Sequence, residues 1–246
     1  MRRPTVGERW GVWLFRRRSY FPPLLLVVLI LALMDGSSTR TGPGLDRRFL
    51  ALGLVPTTLG FAIRAFVVGT APTGTSGRST IEQVAAELNT TGLYSVVRHP
   101  LYLGNLLLWL GLATTTAVWW TLPVVAIAFC LLYLPIVAAE ERFLRDRFGG
   151  VFVQWATETP AFWPAVGRWR RPGLPFSARI VLRQEYYGLF TVVLFVVILE
   201  LAANVTGGGG WRVGPGWVWL LGATTVAAGV LRWLQRRTSV LDVAGR

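Results

Sequence analysis

Lysine is absent from these 246 residues, and cysteine and histidine occur once each. The lone cysteine, Cys130, makes a disulfide framework impossible and leaves no set of thiolates to hold a metal. With His99 as the one imidazole, a metal site of ordinary ligand pattern has almost nothing to draw on, and none is expected. Charge is scarce as well: 15% of residues are charged against 53% hydrophobic, and the mean hydropathy is +0.50. A water-facing surface cannot be covered at that ratio, which excludes a soluble Rossmann or barrel enzyme. Nucleotide-binding signatures are also missing. The small-residue stretch from Gly69 to Ser79 lacks the Gly-Lys-Ser/Thr of a P-loop, and Gly207 to Gly210 follow no strand, which makes them a flexible loop.

What is present is arginine at the ends of apolar runs. All 25 basic residues are arginine, against twelve carboxylates, giving a net charge of +13. Their clustering at segment ends follows the positive-inside rule and does not suggest a nucleic-acid partner. Six spans are predicted, at about 20–34, 49–69, 100–113, 118–139, 187–203 and 216–233, the first and third short for a bilayer that needs roughly 20 residues. The predicted fold is therefore all-α, a polytopic integral membrane bundle of about six transmembrane helices. Placing the N-terminus in the cytosol puts 20 arginines there and only Arg40, Arg47, Arg48 and Arg212 outside, with Arg64 inside span two; both termini are then cytosolic. The basic start is read as an anchor and not as a signal peptide, because no small-x-small cleavage site precedes Asp35. The chain divides into a basic tail (1–19), two membrane helices (20–69), a core (70–165), and a cytosolic linker with a two-helix extension (166–246).

The polar residues that need explaining lie at one end of a predicted hairpin. Thr114 to Ala117 is a short uncharged turn joining spans three and four, so the far ends of those spans must be neighbours. One end reads Arg98-His99-Pro100-Leu101-Tyr102-Leu103-Gly104-Asn105 and the other Ala139-Glu140-Glu141-Arg142-Phe143. Pro100 suits the first helical position, where its missing N–H costs nothing, and it biases His99 toward an extended conformation. If the hairpin turns near Ala117 to Trp119, Arg98 and His99 come level with the residues before Glu140, within roughly 5 Å along the axis. A helix N-terminus with an arginine suits a carboxylate or phosphate, and two glutamates suit cations. Blander readings exist for each residue. His99 could bond a backbone carbonyl, Glu141 could pair with Arg145 at i,i+4, and Arg64 could snorkel to the headgroups. The arginines from Arg142 to Arg147 and from Arg168 to Arg171 read as contacts to anionic lipid.

These two motifs, with Phe148-Gly149 and Thr159-Pro160-Ala161-Phe162-Trp163-Pro164 after them, resemble the integral membrane methyltransferases of the isoprenylcysteine carboxyl methyltransferase and phospholipid N-methyltransferase group. The likeness runs from about Gly60 to Pro164. It implies S-adenosylmethionine as cofactor, held without a Rossmann domain, with His99, Pro100, Tyr102, Gly104, Glu140 and Glu141 binding it. It further implies that Arg98 and Glu141 act at the reaction centre and that Arg98 and Arg64 meet the substrate. The expected function is methyl transfer to a membrane-embedded amphiphilic acceptor, a carboxylate or amine on an isoprenoid or phospholipid-like molecule. The expected setting is the bacterial inner membrane, with the site facing the cytosol. An NADPH-dependent sterol or enoyl reductase shares the Arg-His-Pro-like segment, and a noncatalytic scaffold or lipid-binding subunit would account for the basic face. The role of Glu185-Tyr186-Tyr187 and of the last two spans is open at this level, and Glu200 has no evident partner.

Overall fold

The computed structural model describes residues 6–36, 38–72 and 86–243. Arg2, Arg3, Arg78 and Arg246, counted above on the cytosolic side, lie outside them, as does most of the Gly69 to Ser79 stretch. The described residues form eight α-helices, in order α1 (Val6–Arg17), α2 (Phe21–Met34), α3 (Arg47–Thr70), α4 (Pro100–Thr115), α5 (Thr121–Phe148), α6 (Gly150–Glu158), α7 (Ala178–Thr206) and α8 (Pro215–Arg237). Among the described residues there is no strand, and one isolated bridge joins Gly92 to Arg170. Within the described residues, five stretches are long and apolar enough to cross a membrane: Trp10–Met34, Arg47–Thr70, Thr121–Phe148, Ala178–Thr206 and Pro215–Arg237. α4, expected as a span, has 16 residues. At about 1.5 Å per residue it reaches roughly 24 Å, short of a hydrocarbon core of about 30 Å.

The local chemistry sets the helix starts. Proline stands in the first turn of α2, α4 and α8, where the backbone N–H has no intrahelical partner to lose. Asp46 caps α3 by accepting from the Arg48 N–H at 2.8 Å. Residues 6–17, placed by the sequence reading within a basic tail, are helical, and α1 packs along α5. Gly11 has no side chain where the Pro135 carbonyl presses against it.

α3 and α4 form the closest helix pair, running antiparallel. A Cβ on Gly53 would lie 2.5 Å from the Gly111 carbonyl oxygen, and one on Gly60 2.6 Å from that of Gly104. The glycines sit seven apart on both helices, so two turns of each backbone meet without side chains between them. On the other side α4 turns into α5 through residues 116–120, where Ala117 adopts φ 55° and its carbonyl accepts from Thr39 N–H at 3.1 Å. The core between these helices is aromatic and aliphatic, with Tyr102, Trp109, Leu112, Phe129, Tyr133, Ile136, Phe195 and Leu199 all buried. α7 packs on α2 and α3, while α8 packs on α7 and buries none of its residues. Glu200 does have partners: its carboxylate accepts from Leu45 N–H at 2.9 Å and from Asn204 Nδ2 at 3.0 Å, tying the α2–α3 loop to α7.

Candidate active site

Pro100 begins α4 as its position suggests; His99 before it is non-helical, but at φ −123° and ψ 60° it falls short of the expected extended conformation. From that start, His99, Tyr102 and Asn105 recur every three residues and face α5 together. α5 presents Phe129, Tyr133 and Glu140 on the face toward them, with Glu141 adjacent. It remains helical well past the apolar run, to Phe148, which is why the two glutamates project from a rigid element and not from a loop end.

The ends meet in direct contact. Arg98 Nε donates to Glu141 Oε1 at 2.8 Å, and His99 Nε2 lies 3.0 Å from the same oxygen. Tyr102 donates its hydroxyl to Glu140 Oε2 at 2.9 Å, and His99 Nδ1 is 3.9 Å from that oxygen. The two glutamates, about 100° apart around α5, thus take different partners. Glu141 is claimed by Arg98 and His99 and not by Arg145. The helix-surface pair that does form here is Arg142 with Asp146, at 3.7 Å. His99 is buried, at 5% side-chain exposure, whereas Glu140 and Glu141 keep 27% and 20%, so the carboxylates open toward solvent and the imidazole lies behind them.

The segment after α6 closes one wall. Arg98 N–H donates to the Pro160 carbonyl at 2.9 Å, His99 N–H to that of Ala161 at 3.3 Å, and Ala165 N–H to that of Val96 at 2.9 Å. These bonds explain why the Thr159 to Pro164 segment accompanies the Arg98-His99-Pro100 segment: the backbones pair. They also bring Phe162 to 5.9 Å from the His99 ring, while Tyr102 stacks on that ring at 5.7 Å and 17°. Arg98 Nη1 donates to the carbonyls of Ala156 at 2.6 Å and Thr159 at 2.5 Å, a cation at the C-terminal end of α6 where the helix dipole favours it. Trp155 Nε1 donates to the Tyr94 carbonyl at 3.1 Å. Burial, with the charge of Glu140 adding to it, raises the Tyr94 phenol above its ordinary value, so it stays a neutral hydroxyl.

Gly104 faces away from this wall. Its missing side chain makes room for Arg64, whose Cγ would lie 2.8 Å from a Cβ there. Arg64 does not snorkel. Its guanidinium makes a bidentate pair with Glu185 on α7, at 2.9 Å for both bonds, and donates to Asn105 Oδ1 at 2.5 Å. Asn105 and Glu185 are not among the site residues expected from the sequence because their partner sits far along the chain; the available signal was Arg64 itself, a guanidinium inside an apolar span that needs a counter-charge. Arg18 is a further cation that was read only as part of a basic tail. It lies 4.1 Å over the Phe15 ring. Beside the site, a cavity of about 130 Å³ is lined by Ser95, Trp155, Glu158, Thr159, Arg168 and Arg170, with Thr90 at its edge.

No solved structure matches the chain. It is 32% identical over 163 residues to the cobalt-zinc-cadmium resistance protein CzcN of Cupriavidus metallidurans, covering 66% of this chain and 67% of that protein. It is 30% identical, again over 163 residues, to the nickel-cobalt-cadmium resistance protein NccN of Alcaligenes xylosoxydans xylosoxydans, covering 66% and 68%. The family model for phospholipid methyltransferases matches residues 48–150, a stretch that holds α3, the α4–α5 hairpin and every group bonded to Glu140 and Glu141 named above. The helices, the site and these likenesses agree: this chain belongs to the phospholipid methyltransferase family of membrane proteins.

Proposed function

We propose that this protein transfers a methyl group from S-adenosylmethionine, entering from the cytosol, to the polar end of an amphiphilic acceptor that reaches the site from the bilayer. The observation that carries the reading is the convergence of Arg98, His99 and Tyr102 on the adjacent carboxylates Glu140 and Glu141 at hydrogen-bond distance.

The donor set suits the cofactor's chemistry. Bound there, S-adenosylmethionine supplies an electrophilic methyl on a sulfonium, together with an ammonium and a carboxylate. Glu140 and Glu141 are the anionic partners for its cationic groups, and the N-terminus of α4 with Arg98 is the cationic partner for its carboxylate. Tyr102 and Phe162 offer aromatic faces beside His99, against which a sulfonium or adenine can rest. Methyl transfer is an in-line displacement: the bond from acceptor to methyl forms as the carbon–sulfur bond breaks, and the electron pair leaves with sulfur. Charge is dispersed, so positioning and exclusion of water supply most of the acceleration. Arg98 orients an acceptor carboxylate, which needs no base. For an amine acceptor, a glutamate or His99 receives the leaving proton; with Nε2–H donating to Glu141 at 3.0 Å, the basic nitrogen of the imidazole is Nδ1, and Glu141 stabilises the imidazolium. Family membership favours this chemistry over a sterol or enoyl reductase.

The test is transfer of a labelled methyl from S-adenosylmethionine into lipid extracted from membranes that carry the protein. Wild type is expected to label a lipid, and Glu141→Gln to lose most of that labelling. Equal labelling by both would remove Glu141 from the mechanism, and no labelling by wild type would contradict the reading itself.

A further inference from the structure

Arg64 enters the bundle from α3 at membrane depth, where a lone guanidinium is costly and needs a fixed counter-charge. Glu185 on α7 supplies it through two parallel bonds, with side-chain exposures of 20% for Arg64 and 7% for Glu185. Because Arg64 Nη1 donates to Asn105 Oδ1, the amide nitrogen of Asn105 is turned toward α5, where it donates to the Tyr133 hydroxyl at 3.4 Å. The Tyr133 ring stands 5.0 Å from Tyr102 and stacks on Phe129 at 4.0 Å. Tyr102 in turn donates to Glu140. One chain of contacts therefore links α7, α3, α4 and α5 and ends at a carboxylate of the site. The family match ends at residue 150 and so contains Arg64, Asn105 and Tyr133 but not the carboxylate that neutralises Arg64.

We propose that Glu185 is a positioning residue: by fixing Arg64 it holds Asn105 and Tyr133, and through them the placement of Tyr102 against Glu140, so that α7 sets the affinity of the cofactor pocket. This rests on reading Tyr102 and Glu140 as cofactor ligands. With Glu185 removed, the guanidinium keeps its charge and turns to other acceptors, taking Asn105 with it. An aspartate at 185 keeps the charge but is one methylene short, so it retains part of the effect.

The experiment is equilibrium dialysis of labelled S-adenosylmethionine against the full-length, detergent-purified protein, alongside thermal unfolding. Glu185→Gln is expected to weaken binding about tenfold, as for loss of one partner of a buried charge pair, with Glu185→Asp intermediate. Tyr133→Phe, which leaves the Arg64–Glu185 pair intact and removes the hydroxyl that Asn105 holds, is expected to weaken binding about threefold to tenfold, and the double variant with Glu185→Gln to bind no more weakly than Glu185→Gln alone, since coupled residues are not additive. Binding by folded Glu185→Gln within about twofold of wild type, even with a lowered melting temperature, reduces Glu185 to a structural brace and overturns the proposal. Should Glu185→Gln not fold, Tyr133→Phe decides: weakened binding supports the coupling, and a folded variant that binds within about twofold of wild type refutes it. A wild type that binds no S-adenosylmethionine overturns the underlying reading of the site, a result distinct from wild type and Glu185→Gln binding alike.

Discussion

Glu141 accepts from a guanidinium and lies beside an imidazole through a single oxygen, while Glu140 accepts from a phenol. The two neighbours should therefore fail differently. Bonds to charged groups are worth about 1.5–3 kcal/mol each, so Glu141→Gln is expected to weaken S-adenosylmethionine binding by roughly tenfold to a hundredfold. Tyr102→Phe removes one hydroxyl and is expected to cost about threefold to tenfold. Calorimetric titration of both variants checks the order, and an equal effect would mean that the carboxylates are interchangeable. The residue types and their level along the hairpin were legible in the sequence, because Pro100 fixes where α4 begins and helical rise does the rest. The angular assignment was not. Which glutamate meets His99 depends on how α4 and α5 rotate against each other, and that is set by the aromatic contacts among Tyr102, Phe129 and Tyr133. Glu185 was out of reach for a related reason: a bidentate ion pair between residues 121 positions apart leaves no local trace.

The helices themselves were read well where they are apolar and poorly where they leave the hydrocarbon. The predicted span 118–139 is the membrane part of α5, which runs from Thr121 to Phe148, and 187–203 is the middle of α7, Ala178–Thr206. Hydropathy reports the solvent, whereas the backbone ladder continues in water as long as no residue interrupts it. The partner of α4 also went unread. Its short turn to α5 was evident, but the dominant contact is with α3, through glycines at 53, 60, 104 and 111. A seven-residue glycine spacing on two separate segments is the signal that would have found it. Gly111→Ala pushes a methyl into Thr57 and the Gly53 carbonyl, and is expected to destabilise by about 1–3 kcal/mol. Gly222→Ala on α8, where nothing stands within 4 Å of a Cβ, is expected to be neutral or to stabilise by up to about 1 kcal/mol. Thermal unfolding in detergent micelles measures both. Similar losses at the two positions would contradict the packing account.

For the whole molecule, the arginine distribution makes a directional claim that the fold alone does not: the Glu140–Glu141 end faces the cytosol and the α7–α8 loop faces outside. In a Cys130→Ser background, a cysteine at Gly167 is expected to react with a membrane-impermeant thiol reagent only after the membrane is opened, and one at Trp211 in intact cells. The opposite pattern would invert the topology. The amphiphilic acceptor, the cytosolic cofactor and the position of the site at the inner edge of the bilayer all depend on a cofactor being held by the residues at that edge. The most direct measurement is calorimetric titration of S-adenosylmethionine into the purified wild-type protein in micelles. The account predicts saturable heat at one cofactor per chain, abolished or strongly weakened in Glu141→Gln; no heat from wild type, or the same isotherm from both proteins, would contradict it.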